Sequence, residues 1–139
     1  MAEAYQVALL HTKAYRVLRQ EIAALLVPYQ VTMLEWVLLC SLDLEQGIRL
    51  SQVAEYIGVE APLISQLIRT LQEKGLVKLS ADKDDKRAKR LVLTVNGLKL
   101  VTESNLQLED ELTVCLAGLT DTDVSTHLRA LETIIHHDD

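Results

Sequence analysis

The chain has 139 residues, 49% of them apolar, and a formal charge of −6. That length suits one domain with a hydrophobic core, and no apolar run approaches the roughly 20 residues that span a bilayer. The opening MAEAYQVALLHTK lacks the basic flank and apolar stretch of a signal sequence, so the expectation is a soluble cytoplasmic protein without membrane contact.

A first helix is expected over residues 4–26, where Ala4, Ala8, His11, Tyr15, Leu18, Ile22 and Leu25 recur at steps of four and three and form one seam. Pro28 ends it. Thr32 suits the N-cap of a second helix, residues 33 to about 44. Leu34, Val37, Leu38, Cys40 and Ser41 spread around that helix, which places it centrally, and Trp36 lies on it. Gly47 breaks the pattern, and Ile48-Arg49-Leu50 is short enough for an edge strand. Ser51 is read as the cap of a third helix, residues 52–57, with Val53, Ala54 and Ile57 inward and Gly58 in a left-handed closing position. Pro62 fits the first turn of a fourth helix. There Ile64, Leu67, Ile68 and Leu71 follow the i, i+3, i+4, i+7 rule and point inward, and Gly75 closes the helix.

Residues 76–80 and 90–94 read as two strands. The connection 81–89 is filled with Asp, Lys and Arg and has no apolar side chain larger than Ala88, so it is expected to face solvent throughout. A fifth helix covers about 95–116, with Leu98, Val101, Asn105, Leu108, Leu112, Cys115 and Leu119 on a heptad seam that calls for a partner helix. Asn105 either fixes register inside that seam or faces water at its edge. Thr120 and Asp123 resemble a capping box. Val124, Leu128, Leu131 and Ile135 mark the inner face of a last helix, and the terminal HHDD is expected to fray.

Charge is unevenly placed. Between Ala61 and Lys99 nine basic residues face four acidic ones, giving +5 and leaving −11 for the remainder. Such asymmetry suits a local phosphate-binding face, although ordinary surface lysines on a solvated hairpin would give the same count. With the inner face of the fourth helix committed, its outward set is Pro62, Ser65, Gln66 and Arg69. Gln pairs bidentately with adenine and Arg with guanine; Ser65 suits a base or phosphate contact, and Pro62 offers shape only. Arg69 alternatively bridges Glu73 at i+4. Lys83, Lys86, Lys89 and Arg90 are candidate phosphate contacts, unless Arg90 turns toward the helices. Ser51 and Gln52 could offer donors to a phosphate at the start of the third helix.

Cys40 and Cys115 lack CxxC spacing and clustered His, so neither a metal site, a cofactor nor a disulfide framework is expected; buried structural thiols are. No nucleophile elbow, phosphate-binding glycine loop or HExxH occurs, which argues against an enzyme.

The wording SQVAEYIGVEAPLISQLIRTLQEKGLV, followed by DDKRAKRLVLTVNG with Asp85-Lys86-Arg87, Leu93-Thr94 and Gly97, resembles the MarR family of winged helix-turn-helix regulators. The resemblance covers nearly the whole chain. It implies a mainly α fold of six helices with a small β-hairpin wing. It implies one domain over 1–139, with a DNA-binding lobe at 30–98 and dimerisation helices at 1–29 and 99–139. It further implies a homodimer that binds double-stranded DNA at a palindromic operator, usually as a repressor, and responds to a small aromatic, carboxylic or oxidant signal. In the family's wing pattern Asp85 pairs with Arg87 and shapes the loop, and Arg87 sits at the minor groove. The family's effector pocket lies between the first, second and fifth helices, where His11, Tyr15, Arg16, Arg19 and Trp36 are candidates. Tyr15 and His11 equally suit dimer packing, and Trp36 suits the core. Thiol-sensing branches carry a reactive Cys near the start of the first helix. This chain has none there, so peroxide sensing is not expected. The competing reading is a winged-helix module that binds protein and no operator. Net acidity favours it; the cluster from Lys83 to Arg90 and the Gln66–Arg69 face oppose it.

Overall fold

The computed structural model describes residues 3–139; Met1 and Ala2, the start of the segment read as carrying no signal sequence, lie outside the described residues. The elements are α1 (Ala4–Leu26), α2 (Met33–Leu44), β1 (Ile48–Arg49), α3 (Val53–Ile57), α4 (Ala61–Glu73), β2 (Val77–Ala81), β3 (Lys89–Leu93), α5 (Val95–Cys115) and α6 (Asp121–Ile135). Six helices and a three-stranded antiparallel sheet of order β1-β3-β2 make a winged-helix fold. No single described helix is long and apolar enough to cross a membrane. The chain divides into two compact units, one ending at Gln107 and the other Leu108–Asp139, with α5 running from the first into the second.

In the first unit the expected apolar faces meet in one core. Ile64, Leu67, Ile68 and Leu71 of α4 are all buried, with Leu38, Leu39 and Leu42 of α2, Val53 of α3 and Leu91 of β3. Each such side chain contributes about 1.5–3 kcal/mol relative to exposure. Thr32 caps α2 by accepting from the Glu35 amide at 3.1 Å. Pro62 opens α4 where its missing N–H costs nothing, and Gly75 follows its end at φ +72°.

Three local expectations shift. Leu50 is not in the edge strand: β1 ends at Arg49, and residues 50–52 form one 3-10 turn. Ser51 lies inside that turn, so it does not cap α3. Gln52 occupies the N-cap, and no side chain bonds there. The hairpin strands begin and end within one residue of their expected places, at Val77–Ala81 and Lys89–Leu93.

Two polar networks fix how α4 and α5 are held. Glu35 is buried on α2, and its Oε2 accepts from Lys74 Nζ at 2.7 Å; the same ammonium donates to the Gln30 carbonyl at 2.7 Å. Gln30 has φ +56° in the turn that follows α1. One lysine thereby ties the end of α4 to the α1–α2 elbow. At the start of α5, Thr94 donates its amide to the Leu76 carbonyl and its hydroxyl to the Gly75 carbonyl, at 3.1 and 2.6 Å. Its Oγ1 also accepts from the Gly97 amide at 3.0 Å. A Cβ on Gly97 would run into the Leu76 carbonyl oxygen, so only glycine allows this approach.

The second unit holds α6, opened by a reciprocal capping box: Thr120 Oγ1 accepts from the Asp123 amide at 3.1 Å and Asp123 Oδ2 from the Thr120 amide at 2.9 Å. Among the described residues none after Ser104 is buried in the single chain. Cys115 is therefore exposed rather than a buried thiol.

Gly97→Ala should lower stability by about 2 kcal/mol, since the methyl must displace backbone rather than a flexible side chain. Urea denaturation followed by circular dichroism measures it; a loss under about 0.5 kcal/mol would show that the contact yields freely.

Candidate nucleic-acid interface

The outward residues expected on α4 are where the periodicity puts them. Pro62, Ser65, Gln66 and Arg69 are all exposed, opposite the buried stripe. Ser65 donates its hydroxyl to the Ala61 carbonyl at 3.2 Å and keeps its lone pairs free to accept. Arg69 forms no ion pair with Glu73 among the described residues, so its guanidinium is available. A groove of about 380 Å³ runs beside α4, and Ser51, Ser65, Arg69 and Gln72 share its lining. Ser51 and Gln52 are exposed at the entry to α3. With five residues, α3 is too short for a developed helix dipole, so any donation there is local.

The wing is built from a chain of hydrogen bonds. The Asp82 amide donates to the Ala88 carbonyl at 3.1 Å, and the Ala88 amide to the Asp85 carbonyl at 3.0 Å. Asp85 does shape the tip, but through the Arg87 backbone amide, which donates to its Oδ1 at 3.0 Å. Asp85 thus pairs with the Arg87 backbone, and no Asp85–Arg87 ion pair occurs among the described residues. The Arg87 guanidinium therefore stays exposed, as do Lys83, Lys86 and Lys89.

The connection does not face solvent throughout. Asp82 is buried, with its side chain only 1% exposed, and is the site's residue that sequence reasoning missed. Its Oδ1 accepts from the Asp84 amide at 3.0 Å. Its Oδ2 lies 2.9 Å from Arg49 Nε and 3.3 Å from Arg90 Nε. Arg90 also donates from its terminal nitrogen to the Gly47 carbonyl. Arg90 is thus turned inward to bind the sheet rather than free for phosphate. Lys74, counted in the +5 segment, is likewise committed to Glu35 and Gln30. The only signal for Asp82 in the sequence is an acidic residue beginning a basic loop, and it names no partner.

The candidates on the helical side separate. Tyr15, Arg16 and Arg19 are exposed on α1. His11 is half-buried, its Nδ1 within 2.9 Å of the Val7 carbonyl. Trp36 is half-buried on α2, and its indole Nε1 is buried with no hydrogen-bond partner among the described residues. Asn105 is half-buried rather than wholly solvated, and its Oδ1 accepts from the Cys40 thiol at 3.8 Å. Burial pushes that thiol up to about 11, against the weaker opposing effect of the Asn105 bond. Cys40 is therefore a protonated structural thiol, which does not form the nucleophilic thiolate at neutral pH.

Residues 31–89 match the model of the MarR family. Over nearly its whole length the chain is similar to solved proteins. Against S. aureus MepR in its DNA-binding conformation the TM-score is 0.80 at 21% identity, covering 96% of this chain and 98% of that one. BldR from Sulfolobus solfataricus gives 0.80 at 23% identity, covering 97% and 96%. PcaV from Streptomyces coelicolor, solved in complex with its natural ligand, gives 0.66 at 22% identity, covering 91% and 92%. These likenesses show the fold, a winged helix with flanking helices.

Two outcomes follow from the titrating groups. The Asp84 amide foremost, and then Arg90 and Arg49, hold the Asp82 carboxyl below its ordinary 3.8 against the opposing effect of burial. A carboxyl lowered in the folded state adds stability that is present above its unfolded value and is lost as pH falls through the folded one. Denaturation at a series of pH values below about 4 should show a shallower acid loss for Asp82→Asn than for the native chain; equal slopes would mean that the carboxylate adds nothing. Asp123, lowered chiefly by the Thr120 amide, supplies acid sensitivity that both proteins share. Separately, Cys40 should resist maleimide at pH 8 in the folded protein and react once it is denatured, as read by peptide mass spectrometry.

Proposed function

We propose that this MarR-type winged helix is a sequence-specific regulator of transcription, acting in the cytoplasm as a homodimer on a palindromic double-stranded operator, usually to repress. The observation that carries the reading is the pairing of two uncommitted surfaces in one unit. An α4 face presents Ser65, Gln66 and Arg69, and a hydrogen-bonded wing tip presents Lys83, Lys86, Arg87 and Lys89, all exposed. Gln66 and Arg69 supply base readout worth about 1–3 kcal/mol each, and Arg87 suits a narrow minor groove. The lysines supply affinity without sequence information. Nothing in this arrangement is a catalytic constellation, so the chain is read as a regulator rather than an enzyme.

Self-association is supported by the apolar residues left outside the core. On α1, Tyr5, Leu10, Tyr15 and Val17 are more than half exposed, and on the C-terminal helices Val114, Leu128 and Ile135 are too. Helices are stabilised mainly by burying an apolar face, and a second copy offers matching faces. We therefore assign dimerisation to residues 1–29 and 99–139, leaving 30–98 as the DNA-binding lobe. Response to an effector is supported by the unpartnered Trp36 indole N–H, a buried donor that a carboxylate or carbonyl would satisfy. A small aromatic acid is the chemistry it fits. PcaV, solved with its natural ligand, shares the fold.

Footprinting on the DNA upstream of the protein's own coding sequence, after retention on heparin, tests the reading. Protection should cover two half-sites about 34–36 Å apart, one helical turn. A protein that passes through heparin and protects nothing is a protein-binding module instead. Arg87→Ala should weaken operator binding at least ~tenfold in a quantitative gel shift with helical content unchanged. The slope of log K against log[salt] should be steeper than about −3, and a shallower slope would rule out a multi-phosphate interface.

A further inference from the structure

The sheet register sets Arg49 directly opposite Arg90 on neighbouring strands. Like charges so placed repel, yet both guanidiniums turn to one oxygen of Asp82. The other oxygen of that carboxylate takes the Asp84 amide, so Asp82 is occupied from β1, from β3 and from its own loop. The Asp82 backbone also closes the base of the tip, through its amide bond to Ala88. Between those two residues lie Lys83, Lys86 and Arg87.

We propose that Asp82 is a positioning residue for DNA recognition, one that orients the wing tip against the sheet and withholds two arginines from phosphate. The inference rests on the DNA-binding reading above. Arg49 and Arg90 are 39% and 36% exposed even while paired, so loss of the carboxylate releases both toward any polyanion. Asp82 therefore acts on specificity from two sides. It holds Arg87 where an operator groove can meet it, and it suppresses sequence-independent attraction.

The test uses the full-length protein, the footprinted operator and an unrelated duplex of equal length, with anisotropy titrations at several salt concentrations and thermal melts in parallel. Asp82→Asn, Arg87→Ala and the double variant complete a cycle. Asp82→Asn should weaken operator binding about tenfold, leave the unrelated duplex bound equally or more tightly, and steepen the salt slope by about 1–2. On the Arg87→Ala background its cost on the operator should fall below about threefold, because the wing's contact is already gone. Parallel loss on both duplexes, or the full tenfold loss on the Arg87→Ala background, would overturn the proposal and leave Asp82 a purely structural group. If Asp82→Asn shows no cooperative melt, Arg49→Gln removes one donor from the partly exposed side. It should give the same divergence between duplexes at about threefold, and equal losses would overturn the proposal equally. A native protein that binds neither duplex sinks the DNA-binding reading and this inference with it; a native protein that binds its operator while the cycle proves additive sinks the inference alone.

Discussion

Two arginines forced face to face by strand register, with one buried carboxylate between them, set the form of the wing. β1 has only two residues, too few to hold an edge through ladder bonds alone. The Arg49–Asp82 pair, and the bond from Arg90 to the Gly47 carbonyl just before β1, attach that edge laterally to β3. The carboxylate is expensive to bury unless its lone pairs are filled, and here an amide and two guanidiniums fill them. Removing any donor therefore leaves both a charge less satisfied and an edge less held.

The same pairing redraws the electrostatics. The segment around the wing carries +5, but Lys74 and Arg90 within it serve internal carbonyl and carboxylate groups. What is left to meet a polyanion is narrower: Arg69 on α4, Lys78 on β2, and Lys83, Lys86, Arg87 and Lys89 on the wing, with Lys99 lying 3.9 Å from Glu103. The residues outside that segment carry −11, so the basic charge is concentrated locally. Net acidity is thus compatible with a locally basic face.

Local patterns were legible in the sequence, and long-range pairings were not. The stripe Ile64, Leu67, Ile68, Leu71, the Thr32 cap and the Thr120–Asp123 box each follow from spacings of three or four residues, and all stand as read. Asp82 with Arg49 and Glu35 with Lys74 are 33 and 39 residues apart, and nothing in a linear pattern marks a carboxylate for burial. Ser51 suits a cap because Ser commonly is one, but a preceding 3-10 turn moves the boundary past it. Cys115 looked buried because it sits on an apolar seam. A seam reports that a face wants covering, and the covering can come from a second chain as well as from the first.

Three consecutive residues join the end of α4, the α1–α2 elbow and the root of α5. Lys74 reaches the α1–α2 elbow through Gln30 and Glu35. The Gly75 carbonyl takes the Thr94 hydroxyl, and the Leu76 carbonyl takes the Thr94 amide where Gly97 presses against it. The end of α4, the elbow and the root of α5 thus meet within the span of one turn, and the bonds to Glu35 and from Thr94 to Gly75 are partly buried. A rotation of α5 at its root must either carry the α4–β2 junction with it or break the Thr94 bonds. A shift of the elbow must do the same through Lys74. Close-packed contacts of this kind respond to displacement in steps, because partial separation loses the bond without gaining water. The exposed α4 face is therefore coupled to the elbow and to the root of α5 by geometry that admits few intermediate positions.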